Sequence, residues 1–288
     1  MLRGIYLPSL KQVLITKLRG KIPDDLLRYI PSRYPIIGSA VLIHLHPALN
    51  SFSDLIGNAI LEALGNNVKS VWVKKGKTLG IYRKPMFQCI VGECNPIVIH
   101  RELNTLFKLD ISKLTFSPGN AGERERLVRM IRRDDVILDM FACCGNLSMP
   151  IAVNVKPKCI YAIEINPLAY AFLLENIRLN KVSNIVQPSL MDNHYLELEE
   201  IATHVLLGFL PSPDKIQTIR GIKAICPEGG VLHYHTIVRN KYEYSSIITN
   251  LLRLVNKQGY RVEKVNVQKI KNMAPKVEHI VIRLNIKR

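Results

Sequence analysis

From Val136 onward the chain keeps one rhythm, a short apolar run followed by a turn and then a helical stretch. The apolar runs are VILDMFACCGN, CIYAIEINP, IVQPSLMDN, HVLLGFLPS and GGVLHYHTIV. The helical stretches between them include LAYAFLLENIRLNK and YEYSSIITNLLRLVNKQG. Few architectures accept such an alternation. It predicts βαβ units on a parallel sheet, an α/β fold. In sheets of that kind ligands lie beyond the carboxyl ends of the strands, so the residues at those ends carry the functional information.

The first run leaves Asp139 into Ala142, Cys143, Cys144 and Gly145, small residues that let the backbone approach a ligand ahead of a helix start. The turn is not GxGxxG, which argues against a pyrophosphate cofactor. The second run ends in Glu164, placed to accept both hydroxyls of a ribose, or else to cap the helix near Pro167. The third ends in Asp192 and Asn193, which could meet an adenine edge or close an Asx turn. Upstream, FSPGNAGERERLVRM sets Ser117-Pro118 at a turn and a helical pattern from Glu123 to Met130. Arg124 in that pattern could pair with a carboxylate by a charge-assisted hydrogen bond, or stand solvated. Acids and amides at consecutive strand ends, behind a small-residue turn, favour a nucleoside cofactor without phosphates. S-adenosylmethionine fits best. The fourth run stops at Phe209-Leu210-Pro211-Ser212-Pro213, where two prolines cannot continue a ladder. That exit is a candidate catalytic rim, with Phe209 and Pro211 toward a substrate, or a core strand followed by a stiff turn.

Residues 1 to about 105 read differently, as short strands and turns: SAVLIHLHP, SVWVKKGKTLGIYRKP, QCIVGE and PIVIHRELNTLFKLD, with KKGK as a hairpin tip. The end, RVEKVNVQKIKNMAPKVEHIVIRLNIKR, reads as two strands flanking a loop. Two domains follow, 1–105 and 106–288, and 288 residues at 48% hydrophobic suffice for both cores. The opening MLRGIYLPSLKQVLITKLRGK is basic like a transit peptide, but Gly4, Pro8 and the helix-like PDDLLRYIP behind it mark folded protein. The formal charge of +17 points to a polyanion, nucleic acid first. Lys74, Lys75 and Lys77, Arg83 with Lys84, and Arg239 with Lys241 are candidate phosphate contacts. No apolar run approaches the ~18 residues of a bilayer span. The six cysteines form no CxxC pair or Cys/His ladder, so no zinc site is expected, and reduced thiols in a cytoplasmic protein are.

The order KLTFSPGNAGERER, VILDMFACCGNLSMPIAV, AIEINPLAYAFLLENIRLNKV, MDN and LLGFLPS resembles the archaeal and eukaryotic enzymes that modify the guanosine 3′ of the tRNA anticodon. The resemblance covers nearly the whole chain. It implies a Rossmann-like class I methyltransferase domain after a smaller α+β N-terminal domain in contact with tRNA. S-adenosylmethionine would be the group donor, and Ser117, Arg124, Glu164, Asp192 and Asn193 match the family's cofactor contacts. Two activities share these motifs. One is N1 methylation of the guanosine. The other, in the wybutosine pathway, transfers a 3-amino-3-carboxypropyl group to carbon 7 of 4-demethylwyosine in tRNA(Phe).

The methylating branch typically places Asn-Leu-Pro or Asn-Pro-Pro where this chain has Phe209-Leu210-Pro211. LGFLPS and GGVLHYHTIV resemble the aminocarboxypropyl branch, so the exit reads as a platform for a base. FACCGN departs from the family's usual Ala-Gly-x-Gly by carrying Cys143 and Cys144, which bears on how closely a cofactor approaches. His233 and His235, two apart on one strand and so on one face, are candidates to touch tRNA or substrate. Two other readings accompany this one: a guanosine N1-methyltransferase, and a non-catalytic tRNA-binding protein that keeps the pocket. No general base is assigned.

Overall fold

The computed structural model describes residues 9–288, the side chain of Lys241 excepted, so the basic opening through Pro8 lies outside the described residues. The chain divides into two compact units. One holds the residues up to His100 and Lys108–Pro118, the other Arg101–Phe107 and Gly119–Arg288. The boundary expected near residue 105 falls inside the hairpin that the two units share.

In the first unit a capping box between Ser9 and Gln12 opens α1 (Leu10–Leu18). Then come β1 (Ile36–Ile37), β2 (Ala40–Ile43), α2 (Ser53–Leu64), β3 (Ser70–Lys74) and β4 (Phe87–Gly92). The strands form one sheet in the order β1-β2-β3-β4, and only β2 and β3 run parallel. A parallel pair needs a crossover, and α2 supplies it. Its Ile56, Ala59 and Ile60 pack with Val41, Ile43, Val71 and Val73 of the sheet and Leu14 and Leu18 of α1.

Three local expectations change here. Asp24–Tyr29 is a 3₁₀ turn, not an α-helix. KKGK only begins the β3–β4 excursion, whose tip lies at Gly80–Arg83 beyond the Leu79–Lys84 bridge. Cys89 and Cys94 form a disulfide, which corrects the expectation of reduced thiols throughout. The turn after β4 folds Cys94 back to a Cα–Cα distance of 5.6 Å from Cys89, a proximity that a C-x4-C spacing does not announce.

A two-stranded hairpin, β5 (Ile97–Glu102) and β6 (Thr105–Asp110), turns through Leu103 and Asn104, both at positive φ as a tight right-twisting hairpin requires. The second unit follows. Its elements are α3 (Ala121–Met130), β7 (Val136–Asp139), α4 (Ser148–Asn154), β8 (Cys159–Glu164), α5 (Pro167–Leu179) and β9 (Val186–Leu190). They continue with β10 (His204–Leu207), α6 (Lys215–Lys223), β11 (Gly230–Val238), α7 (Lys241–Lys257), β12 (Arg261–Ala274) and β13 (Val277–Lys287).

The seven-stranded sheet runs β12-β13-β11-β10-β7-β8-β9. Strands β7 to β11 are parallel as the rhythm predicts, while the C-terminal hairpin adds β13 and β12 antiparallel. Its core joins Leu138, Val205, Leu207 and Leu232 to Ile280, Ile282 and Leu284, closed by Leu251 and Val255 of α7. From β7 the chain winds one way to β8 and β9, then returns to β10 on the other side. Ligands of open α/β sheets bind at such a reversal, which puts the exits of β7 and β10 at the centre of interest. No helix among the described residues is long and apolar enough to cross a membrane.

Candidate active site at the strand exits

The β7 exit is built by its neighbours. Asp139 is fully buried and accepts the Phe141 N–H at 3.2 Å, and burial pushes its carboxyl up to about 6. The turn then passes through Cys143, a non-glycine at φ +52°, and Gly145 at φ +94°. A Cβ on Gly145 would stand 2.1 Å from Cγ of Met149, so the glycine serves the packing of the turn on α4. Asn176 of α5 donates to the Cys144 carbonyl at 2.9 Å and holds the turn from behind.

Glu164, at the end of β8, closes this turn. Its Oε2 accepts the Cys143 N–H at 2.6 Å and its Oε1 the Asn166 N–H at 2.7 Å. Burial raises its pKa, and hydrogen bonds from the backbone N–H groups of Asn166, Cys143 and Ile165 work against that rise. A carboxylate offers about four lone-pair sites, so capacity remains beside these donors for a hydroxyl.

Beyond β9, Asp192 and Asn193 take different roles. Asn193 is buried, donating from Nδ2 to the Met140 carbonyl at 2.6 Å and accepting from Gln217 at 2.9 Å. Through these two bonds its amide braces the β7 and β9 exits. Asp192 is one-third exposed and meets Nδ1 of His194 through Oδ1 at 2.6 Å. The other ring nitrogen, Nε2, meets Oδ2 of Asp214 at 2.6 Å. The Asp214 and Asp192 carboxylates together hold the His194 pKa above its ordinary value. Asp214 is the N-cap of α6, in a capping box with Gln217. His194 therefore ties the β9 exit to the segment that follows β10.

At that β10 exit Phe209 does not enter the core. It is half-buried and stacks on Phe141, with ring centroids 5.0 Å apart and planes 29° from parallel. The β7–β10 register, Leu206 opposite Asp139, sets the two exits side by side. Pro211 is exposed, and its carbonyl accepts the Ile237 N–H of β11 at 3.0 Å.

Arg124 is buried on α3, and its guanidinium is gripped by Glu102 of β5, Nε to Oε1 at 2.5 Å and Nη2 to Oε2 at 2.8 Å. The expected solvated alternative is therefore excluded. Lys271 lies close enough to feel the same charge, and its pKa falls to about 8, mainly through burial. Ser117 belongs to the first unit, half-buried just ahead of the turn Pro118–Asn120, and its assignment rests on the sequence motif.

His233 and His235 are 0% and 2% exposed, which corrects their candidacy as tRNA contacts. His233 lies 3.0 Å from both Arg126 Nη2 and His204 Nδ1, and His235 lies 3.0 Å from His279 Nε2. Burial pushes His235 and His279 down to about 3 and lowers His204 and His233 as well. They form a buried uncharged layer between β10, β11, β13 and α3, because a sheet covered on both faces hides both faces of a central strand. Of the basic candidates, Lys75, Lys77, Lys84 and Arg239 are exposed, and Lys74 and Arg83 half-buried. The side chain of Lys241 lies outside the described residues.

Sequence reading missed Phe141, His194, Asn176 and Glu102. Each has at least one partner 20 or more residues away in the chain, and only the exit acids carried a local signal.

Residues 98–263 match the family model of the TRM5/TYW2 methyltransferase domain, and residues 14–95 that of the TYW2 N-terminal domain. The chain is 36% identical over 279 residues to the tRNA(Phe) (4-demethylwyosine(37)-C(7)) aminocarboxypropyltransferase of Pyrococcus horikoshii, covering 97% of this chain and 96% of that one. It is also 36% identical over 261 residues to the tRNA (guanine(37)-N(1))-methyltransferase Trm5b of Pyrococcus abyssi, covering 91% of this chain and 77% of that one. The crystal structure of Pyrococcus horikoshii TYW2 in complex with MeSAdo is similar with a TM-score of 0.80 at 33% identity, over 96% of this chain and 99% of that one. Matched by the family model through most of its larger unit and by these relatives along nearly its whole length, the chain belongs to the TRM5/TYW2 methyltransferase family.

Proposed function

We propose that this protein transfers the 3-amino-3-carboxypropyl group of S-adenosylmethionine to carbon 7 of 4-demethylwyosine in tRNA(Phe). This is a step of wybutosine formation that releases methylthioadenosine. Equal identity to an aminocarboxypropyltransferase and a methyltransferase cannot choose between them. The Phe141–Phe209 ring pair supports the aminocarboxypropyl branch. It sets an apolar aromatic face where the methylating branch typically has an asparagine to position guanine. An enlarged tricyclic base offers such a face more stacking surface than guanine. The match of residues 14–95 to the TYW2 N-terminal domain supports the same choice.

The residues fit the donor. Glu164 would accept from the ribose hydroxyls with the lone pairs its backbone donors leave, while the Cys143 and Asn166 N–H groups fix its orientation. Asp192 would accept from the adenine amino group, while Asn193 holds the Met140 carbonyl and the β9 exit in place. Arg124, aligned by Glu102, would supply the positive charge that pairs with the donor's carboxylate. When bound, S-adenosylmethionine supplies a sulfonium that activates three carbons alike, so the carbon held in line with the nucleophile is the one that reacts. The first unit, with Lys75, Lys77 and Lys84 exposed on its β3–β4 excursion, takes the RNA backbone. A cytoplasmic location belongs to this reading, since tRNA is its substrate.

The test is incubation with tRNA and the donor labelled in either its methyl or its carboxyl carbon. Carboxyl label in 4-demethylwyosine tRNA, without methyl label, is the expected result. Methyl label in tRNA carrying plain guanosine would overturn the reading in favour of the methyltransferase. Tight tRNA binding with neither label transferred would leave a binding protein.

A further inference from the structure

A cavity of about 400 Å³ lies between α6 and α7 in the unit that carries the seven-stranded sheet. That volume is within the usual range of small-ligand pockets. Tyr234 and Leu251 form a buried apolar floor, flanked by the half-buried Ile247 and Leu254. Lys215, Arg253 and Lys257 stand exposed around it, and among the described residues none of the three is in an ion pair. Asp214, the acid in the lining, is already engaged by His194 at 2.6 Å. A cavity apolar at its base and cationic at its mouth suits a ligand that is flat at one end and anionic at the other.

Its position narrows the class. The lining begins at Pro213, two residues beyond Pro211 of the aromatic exit. The Pro211 carbonyl is held by Ile237 and the Pro213 carbonyl by the Tyr234 hydroxyl at 3.3 Å, so exit and cavity are mounted on the same strand, β11. The chain's +17 charge favours a polyanion over a free metabolite.

We propose that this cavity receives a second nucleotide of the single-stranded tRNA loop, a neighbour of the modified one. Its base rests on Tyr234, Leu251 and Leu254, and its phosphates meet Lys215, Arg253 and Lys257. The proposal rests on the reading that this protein modifies tRNA, and it adds a site that grips the loop beside the reacting base.

Anticodon stem-loop RNA of tRNA(Phe) serves as the probe, with each loop nucleotide in turn made abasic. Two variants carry the test, Asn250→Trp to fill the mouth and Lys215→Ala/Arg253→Ala/Lys257→Ala to discharge it. All four positions are exposed on helices, so the fold tolerates the changes. In the wild type one abasic position besides the modified one should weaken binding about tenfold, the scale of one stacked base. Asn250→Trp should become indifferent at that same position. The triple variant should bind intact RNA at least about tenfold more weakly, with a salt slope shallower by about 0.7 for each phosphate lost. S-adenosylmethionine affinity should be unchanged in both. A control, Lys158→Ala/Lys181→Ala at the opposite ends of the strands, should keep the wild-type profile.

An unchanged abasic profile in Asn250→Trp, or a triple variant no weaker than the control, would overturn the proposal. Wild-type protein that transfers label while the variants match it overturns the cavity alone. Wild-type protein that binds no stem-loop overturns the functional reading as well.

Discussion

Glu164 shows how much of one residue's role a sequence can carry. Its place at the end of the second strand of the rhythm marked it as a candidate ligand carboxylate. The two N–H donors that orient it, from Cys143 and Asn166, became visible only in three dimensions. Glu164→Ala should weaken S-adenosylmethionine binding by about 1–3 kcal/mol in calorimetric titration, through loss of charged hydrogen bonds. Unchanged affinity in a folded variant would remove Glu164 from the pocket. Phe209→Asn addresses the other substrate. Removing one ring of the Phe141–Phe209 pair should weaken 4-demethylwyosine tRNA by about 1–3 kcal/mol and slow transfer, with donor affinity intact. An equal loss of donor affinity would show that the ring shapes the cofactor rim instead. Asn193 and Arg124 were legible as candidate site residues, but the partners they take were not. A side chain's hydrogen bonds are finite, and no local pattern reveals that Met140, Gln217 or Glu102 will claim them.

Among the elements, β11 is where burial overruled pattern. His-Tyr-His suggested one wet face, yet helices cover both sides of the sheet and His233 and His235 are sealed in uncharged. Their consequence is thermodynamic. His204, His233, His235 and His279 all have folded-state pKa values below the ordinary one, about 3 for His235 and His279. The unfolded chain therefore binds more protons wherever the pH lies below the ordinary histidine value of about 6.5 and above the folded one. Stability is complete above that value and falls on acidification, by up to about 1.4 kcal/mol per pH unit for each histidine. Denaturant midpoints measured from pH 7.5 to 5 should fall steadily below 6.5, and a flat profile would mean that these rings are charged when folded. The strands of the larger unit and its helices α5 and α7 were legible because their apolar periods are unbroken. The helix α2 was not, since only Ile56, Gly57, Ala59 and Ile60 of its residues are buried and polar residues interrupt the run.

At the scale of the molecule, 40 Lys+Arg against 23 Asp+Glu make RNA affinity a counterion-release phenomenon. Log K for tRNA should fall linearly with log salt, by roughly 0.7 to 0.9 per phosphate neutralised, and a salt-independent affinity would contradict this. That charge was legible at once, whereas the shared β5–β6 hairpin was not, because chain order gives no sign that a segment will be divided between two bodies. The Asp192–His194–Asp214 bridge has a further consequence. Under the proposed reading it joins the residue that meets the donor's adenine to the segment that follows the base platform. Two ligands whose sites share a joint obey reciprocity. By whatever factor tRNA raises the affinity for the donor, the donor must raise the affinity for tRNA by the same factor. His194→Ala should bring both factors toward one together, leaving each ligand to bind as though the other were absent.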